Sequence, residues 1–273
     1  MSSQVNNSLF DAKGRRIPYD GMRVFNVDSK YYYQLHQPEI RFAEILKRSQ
    51  DFGSVDQEVQ SSKFEAACNH LRIDYANHPA WKDLFGGVHV PFICPQQPHV
   101  VDLGDDFEKT LTGVGKAFEE AHQGSHFKAI LQGQSKLTEN ISIAKNSRYE
   151  AFLRARKAGP VVGWYFPQAL QEFDTDSQRK QMNSLPEDAN VCLSGGYEVS
   201  AALIGTPGLL IDPDNYAPIL CLSAMEHSDP RLVLLFKSYG PHLEFWCMTQ
   251  MLTPTIKQVS EQWAGGLTLF KNL

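Results

Sequence analysis

Over residues 189–252, short apolar segments are cut at regular intervals by Thr206-Pro207-Gly208, Asp212-Pro213-Asp214-Asn215, Ser228-Asp229-Pro230 and Gly240-Pro241. Proline and glycine punctuation at this interval predicts a β-meander with strands at 190–194, 197–204, 209–212, 219–224, 232–239 and 242–250. Most connectors are too short for a parallel crossover, so successive strands are expected to pair antiparallel. Segment 197–204 is ambiguous, because Glu198, Ala201 and Ala202 also suit a helix. If Gly240-Pro241 is a two-residue loop, with glycine supplying the positive φ, Tyr239 faces His242, Lys237 faces Glu244, Leu235 faces Trp246 and Val233 faces Met248; Pro241 is unusual in such a turn, and a slightly longer loop shifts this register. Phe236 then meets Phe245, and Leu234 meets Cys247. Both faces are largely apolar, which predicts a central hairpin covered on both sides.

The first half has helical periodicity instead. A segment from Pro38 to Gly53 carries Ile40, Ala43, Ile45 and Leu46, and a second at 56–71 turns Val59, Phe64, Ala67 and Leu71 inward. The cleanest stripe follows Asp105, read as an N-cap, and places Phe107, Leu111, Val114, Phe118 and Ala121 at spacings of four, three, four and three before Gly124. Residues 126–146 continue in helical style. Ser147 is expected to cap a helix that Gly159-Pro160 ends, followed by a strand at 161–166 and a polar helix or ordered loop at 168–182. A short strand at 22–27, a helix from Thr253-Pro254 to Gly265 and an edge strand at 267–270 complete the expectation. Between them, 76–104 is loop-rich, with Pro79, Gly86, Gly87, Pro91, Pro95 and Pro98.

Segregated helices and strands indicate an α+β fold: a mainly helical N-terminal half packed on a largely antiparallel sheet from the C-terminal half. The polar residues 1–21 read as a loose arm. Residues 22–273 read as a single compact domain, with lobes at 22–159 and 160–273 as the alternative division.

Composition narrows the function class. With 42% apolar residues, 21% charged residues and a net charge of -5, the chain is neither disordered nor a basic nucleic-acid binder. The longest apolar run, 232–236, is far below the ~18 residues of a spanning helix. The start lacks a secretory apolar core, and five widely spaced cysteines in apolar surroundings read as reduced core thiols. A cytoplasmic protein is therefore the expectation, with secretion by a route that reads no such signal left open.

No complete catalytic, cofactor or metal signature occurs, so the cofactor is unknown and no metal is assigned. Five partial constellations remain. His227, Asp229, His242 and Glu244 fall at or near one end of the expected hairpin, where with Tyr239 they could form an acid–base or metal cluster. His89, Cys94 and His99 surround the proline-rich loop; a cysteine near a histidine is the minimum for thiol catalysis, although Phe92 and Ile93 suit an inert buried thiol. Glu119, His122 and His126 have metal-ligand spacing, but Gly124 intervenes. Asp212, Asp214 and Asn215 form an oxygen-rich turn without the glycine and glutamate of an EF-hand. Ser194-Gly195-Gly196 lacks the further glycines and lysine of a phosphate loop.

Charge is uneven. Lys145, Arg148, Arg154, Arg156 and Lys157 stand against Glu150 alone, a pattern that offers a surface to phosphate or to an acidic partner and otherwise reads as a solvated helix face. The functional expectation is a binding or interaction protein for an unidentified protein or small molecule, using His89, Cys94, His99, Arg148, Arg154 and Arg156. The alternative is a hydrolase or transferase using His227, Asp229, His242 and Glu244.

Overall fold

The computed structural model describes residues 8–18, 33–133, 135–187, 189–212, 214–249 and 263–273. The expected strand at 22–27 and most of the helix expected from Thr253 lie outside the described residues. The fold is α+β, as the segregation of patterns predicts, and the helices α1 (Phe42–Phe52), α2 (Ser61–Ala76), α3 (Leu103–Ala121) and α4 (Tyr149–Ala158) fall in the first 158 residues. They are followed by α5 (Thr175–Gln181) and α6 (Gly196–Gly205).

In α3, Phe107, Leu111, Val114, Ala117 and Phe118 form the buried stripe. The helix begins before Asp105 because the carboxylate of Asp102 accepts the Asp105 N–H at 2.7 Å, so Asp102 is the cap. Helix α6 replaces the ambiguous strand at 197–204. Every residue of α6 is buried, and it packs on α1, α3 and β1 (Val90–Cys94), so it shows no amphipathic stripe.

Ten strands lie among the described residues. Besides β1 they are β2 (Phe127–Leu131), β3 (Ile141–Ile143), β4 (Val161–Gln171), β5 (Val191–Leu193), β6 (Ile219–Cys221), β7 (Met225–His227), β8 (Leu232–Tyr239), β9 (His242–Thr249) and β10 (Trp263–Asn272). The main sheet runs β1-β4-β10-β6-β8-β9-β2, with β5 on β10, while β3 and β7 pair separately. Pairing is antiparallel except at β10–β6 and β9–β2.

The β8–β9 register matches the expected pairing residue for residue, from Tyr239↔His242 to Val233↔Met248, and Gly240 has φ 56°. The hairpin is not central, however: among the described residues only β2 lies outside it, and Val233, Lys237, Trp246 and Met248 on one face are half-buried. The centre belongs to β10, where 263–265 was expected to end a helix and 267–270 to form an edge strand. Pro167 lies in β4 where the β4–β10 register shifts, the kind of irregularity that tolerates a missing N–H.

The helical reading of 126–146 is overturned. Left-handed Gly124 (φ 86°) and Gly133 (φ 64°) delimit β2, and β9 supplies its hydrogen bonds. Residues 8–18 are not a loose arm, because Phe10 is fully buried against Trp81 and Arg16 donates its N–H to Ala169. No helix among the described residues is long and apolar enough to cross a membrane.

Candidate functional site

The acid–base constellation does not assemble. His227 and Asp229 precede the Leu232 end of β8, which pairs with Thr249, whereas His242 and Glu244 start β9 at the Tyr239 end. The hairpin's length, roughly 23 Å, separates them. Each group also has local work. His227 accepts the Asp229 N–H on Nδ1 at 2.9 Å and pairs through Nε2 with the Lys136 carbonyl. The Asp229 carboxylate is chelated by the Arg231 guanidinium, whose hydrogen bonds hold its pKa down to about 2. Glu244 accepts the Trp246 indole N–H at 2.7 Å and pairs with Lys237 at 3.5 Å, whose ammonium lies 4.0 Å from the Trp246 ring centre.

His242 meets a residue the sequence did not assign to it. Its ring stacks on that of His126 at 3.6 Å, and its Nδ1 accepts the His126 N–H. Burial, and next to it the neighbouring His242, lowers the His126 pKa. The Glu119, His122 and His126 arrangement dissolves because α3 ends at Ala121 and His122 packs on Phe118. Among the described residues no group of three or more His, Cys, Asp or Glu is placed to hold a metal. Asp212 caps its own turn through Asp214 N and Asn215 N and contacts His36 at 2.6 Å. The Ser194 hydroxyl pairs with Thr268 at 3.0 Å inside the core.

The proline-rich loop and the basic helix do come together. After β1, Gln97 N–H donates to the Arg156 carbonyl at 2.9 Å, and Gln96 Nε2 donates to the Lys157 and Ala158 carbonyls at 3.2 Å. The loop thus satisfies carbonyls that the last turn of α4 leaves without helical partners. Beneath it, Arg156 pairs with Asp106 at 2.9 Å and stacks 4.0 Å above the Tyr197 ring, while Gln97 Nε2 donates to the other Asp106 oxygen. Burial pushes the Tyr197 hydroxyl pKa up. This buried post fixes the loop on rigid elements.

The six expected binding residues divide by role. Arg148 donates to the carbonyls of Met182, Leu185 and Pro186, and Arg156 belongs to the buried post. His89 is buried among Phe85, Trp164 and Phe166, and burial lowers its pKa. Cys94 is fully buried, and desolvation pushes its thiol well up, away from the reactive thiolate. His99 and Arg154 are exposed. Beside them the structure adds Val100, 36% exposed, and Val101, fully exposed. A groove of about 430 Å³ lies between loop and helix, lined by Pro98, Val101, Leu103, Leu153 and Lys157. Arg154 and Lys157 have no ion-pair partner among the described residues.

A buried carboxylate escaped the sequence reading altogether. Glu198 on α6 is fully buried; it accepts the Tyr149 hydroxyl and the Gly195 N–H, each at 2.5 Å, with Thr268 at 3.3 Å. Desolvation outweighs these donors and raises its pKa to about 7. Through Tyr149 and Thr268 it ties α4, α6 and β10 together in the core. The Gly195-x-x-Glu198 spacing of a helix N-terminus was the available signal.

Comparisons with protein-family models, with curated proteins and with solved structures find no match to this chain.

Proposed function

We propose that the chain is a non-enzymatic binding protein whose 97–103 loop and adjoining α4 face dock on an acidic surface of another protein. The carrying observation is Val101, fully exposed beside Val100 at the tip of a loop that the Asp106–Arg156 post holds in place. An exposed apolar side chain on a rigid support loses little conformational entropy on docking, which is how interface anchors work. Arg154 and Lys157 flank it and favour negative charge opposite. The separation of His227 and Asp229 from His242 and Glu244 argues against the hydrolase or transferase alternative.

Arg154 and Lys157, without an ion-pair partner among the described residues, and a net charge of -5 suit an acidic protein patch and not a phosphate backbone. Five buried free cysteines support a reducing, cytoplasmic setting for this binding.

A photo-crosslinking residue placed at Val101, with one at the exposed apolar Ile73 of α2 as control, tests the proposal in the protein's native cells. The expected result is a discrete adduct from position 101 alone, crosslinked to an acidic segment and weakened about tenfold by Arg154→Glu with Lys157→Glu. Equal adducts from both positions, or none from 101, would sink the proposal.

A further inference from the structure

The two ends of the main sheet are treated differently. Strand β1 is buried throughout under α1 and α6, whereas β2 forms the other edge and carries no outer strand among the described residues. An uncovered edge is a pairing template, and proteins normally blunt it. Here the edge is short and, among the described residues, unpaired, and Lys128 and Ala129 are exposed.

The β9 ladder fixes which groups face outward. His126 O accepts from Leu243 N and Gln132 N donates to Cys247 O, so the even-numbered residues of this parallel pair face β9. Phe127, Ala129 and Leu131 therefore direct their N–H and C=O groups away from the sheet. The Phe127 N–H is the exception that is already satisfied, by Glu119 Oε1 at 3.1 Å. The side chains of the same three residues line a groove of about 530 Å³ against Leu111, Gly115 and Leu137.

We infer that this edge joins a second copy of the chain, β2 to β2 in antiparallel register about a two-fold axis at Ala129. In this register Ala129 exchanges both backbone bonds with its symmetry mate, and each Leu131 N–H donates to the Phe127 carbonyl of the other copy. Lys128 falls opposite Ile130, so no like charges face each other. Alanine at the axis leaves room for close approach, and the two grooves merge into one apolar seam.

Helix α3 supplies the charge complementarity that selects a second copy over an unrelated strand. Gly115 lies against Phe127, where any Cβ would crowd the ring. Stepping about 4.5 Å along α3 to Thr112 and about 6.6 Å along β2 to Ala129 keeps the two roughly level. Thr112 thus lies near the same axis, with Glu108 one turn to one side and Lys116 one turn to the other, all three exposed. The two-fold sets each Glu108 against Lys116 of the other copy, the isologous arrangement that closes a dimer.

Sedimentation velocity on the full chain tests this. Wild type is expected to be dimeric at about 10 μM. Ala129→Pro is expected to be monomeric with an unchanged circular dichroism spectrum, because it removes only an outward N–H and leaves the β9 ladder intact. Glu108→Lys or Lys116→Glu alone is expected to weaken association about tenfold, and the two together to restore it. A monomeric wild type at ~100 μM, a dimer that survives Ala129→Pro, or a double reversal no better than either single one overturns the inference. The α4 face takes no part, so failure here leaves the Val101 proposal standing, and the reverse holds as well.

Discussion

Glu198 shows what a single buried carboxyl does to the whole chain. Its folded pKa of about 7 lies above the ordinary 4.5, so between these values the folded state binds the proton more tightly than the unfolded state does. Its contribution is fully present below about pH 4.5 and is lost as pH rises through 7, on the order of 3 kcal/mol in all. Urea unfolding of Glu198→Gln against wild type at pH 5 and pH 8 should show the wild type losing stability with pH and the variant losing markedly less. Parallel pH dependence in the two proteins would refute this. The buried Arg156 behaves differently: Arg156→Ala leaves Asp106 without its cation and should destabilise by roughly 3–5 kcal/mol in the same assay. A loss below about 1 kcal/mol would mean that the post does not hold the loop. Neither residue's role was visible in the chain, because burial is a tertiary property. Arg156 sits in the same basic run as the exposed Arg154 and Lys157, and only the approach of Asp106 and Tyr197 separates them.

Elements were legible where local pattern and tertiary environment agree. The stripe of α3 and the β8–β9 register about Gly240-Pro241 follow from periodicity and turn chemistry alone. They failed where environment overrides pattern. Strand β2 carries Phe127, Ile130 and Leu131 at spacings that also fit a helix, and β9, over 110 residues away, decides the matter. Helix α6 is apolar all round because it is surrounded, so no stripe distinguished it from a strand. The β4–β10 pair at the sheet's centre has its own marker in Gly163, whose missing Cβ leaves space for the Leu269 carbonyl and the Phe92 ring. Gly163→Ala should cost at least ~2 kcal/mol by forcing these strands apart, read as a lower urea midpoint. An unchanged midpoint would show that the sheet yields there.

At the scale of the molecule, the helices pack on the sheet, and His227 and Asp229 stay apart from His242 and Glu244. The proline-rich loop and the basic helix were each recognisable as candidates, but their juncture was not, since the Gln96 and Gln97 contacts to α4 span about 60 residues. Packing also removed most of the candidates: His89, Cys94, Arg148 and Arg156 hold structure, while His99, Arg154, Lys157, Val100 and Val101 face outward. The proposed binding role rests on whether that face meets another protein. Crosslinking from Val101 measures this most directly. An adduct confined to position 101, mapped to an acidic segment and weakened by the Arg154 and Lys157 reversals, is the predicted result; crosslinking that is absent at 101, or indifferent to both reversals, contradicts it.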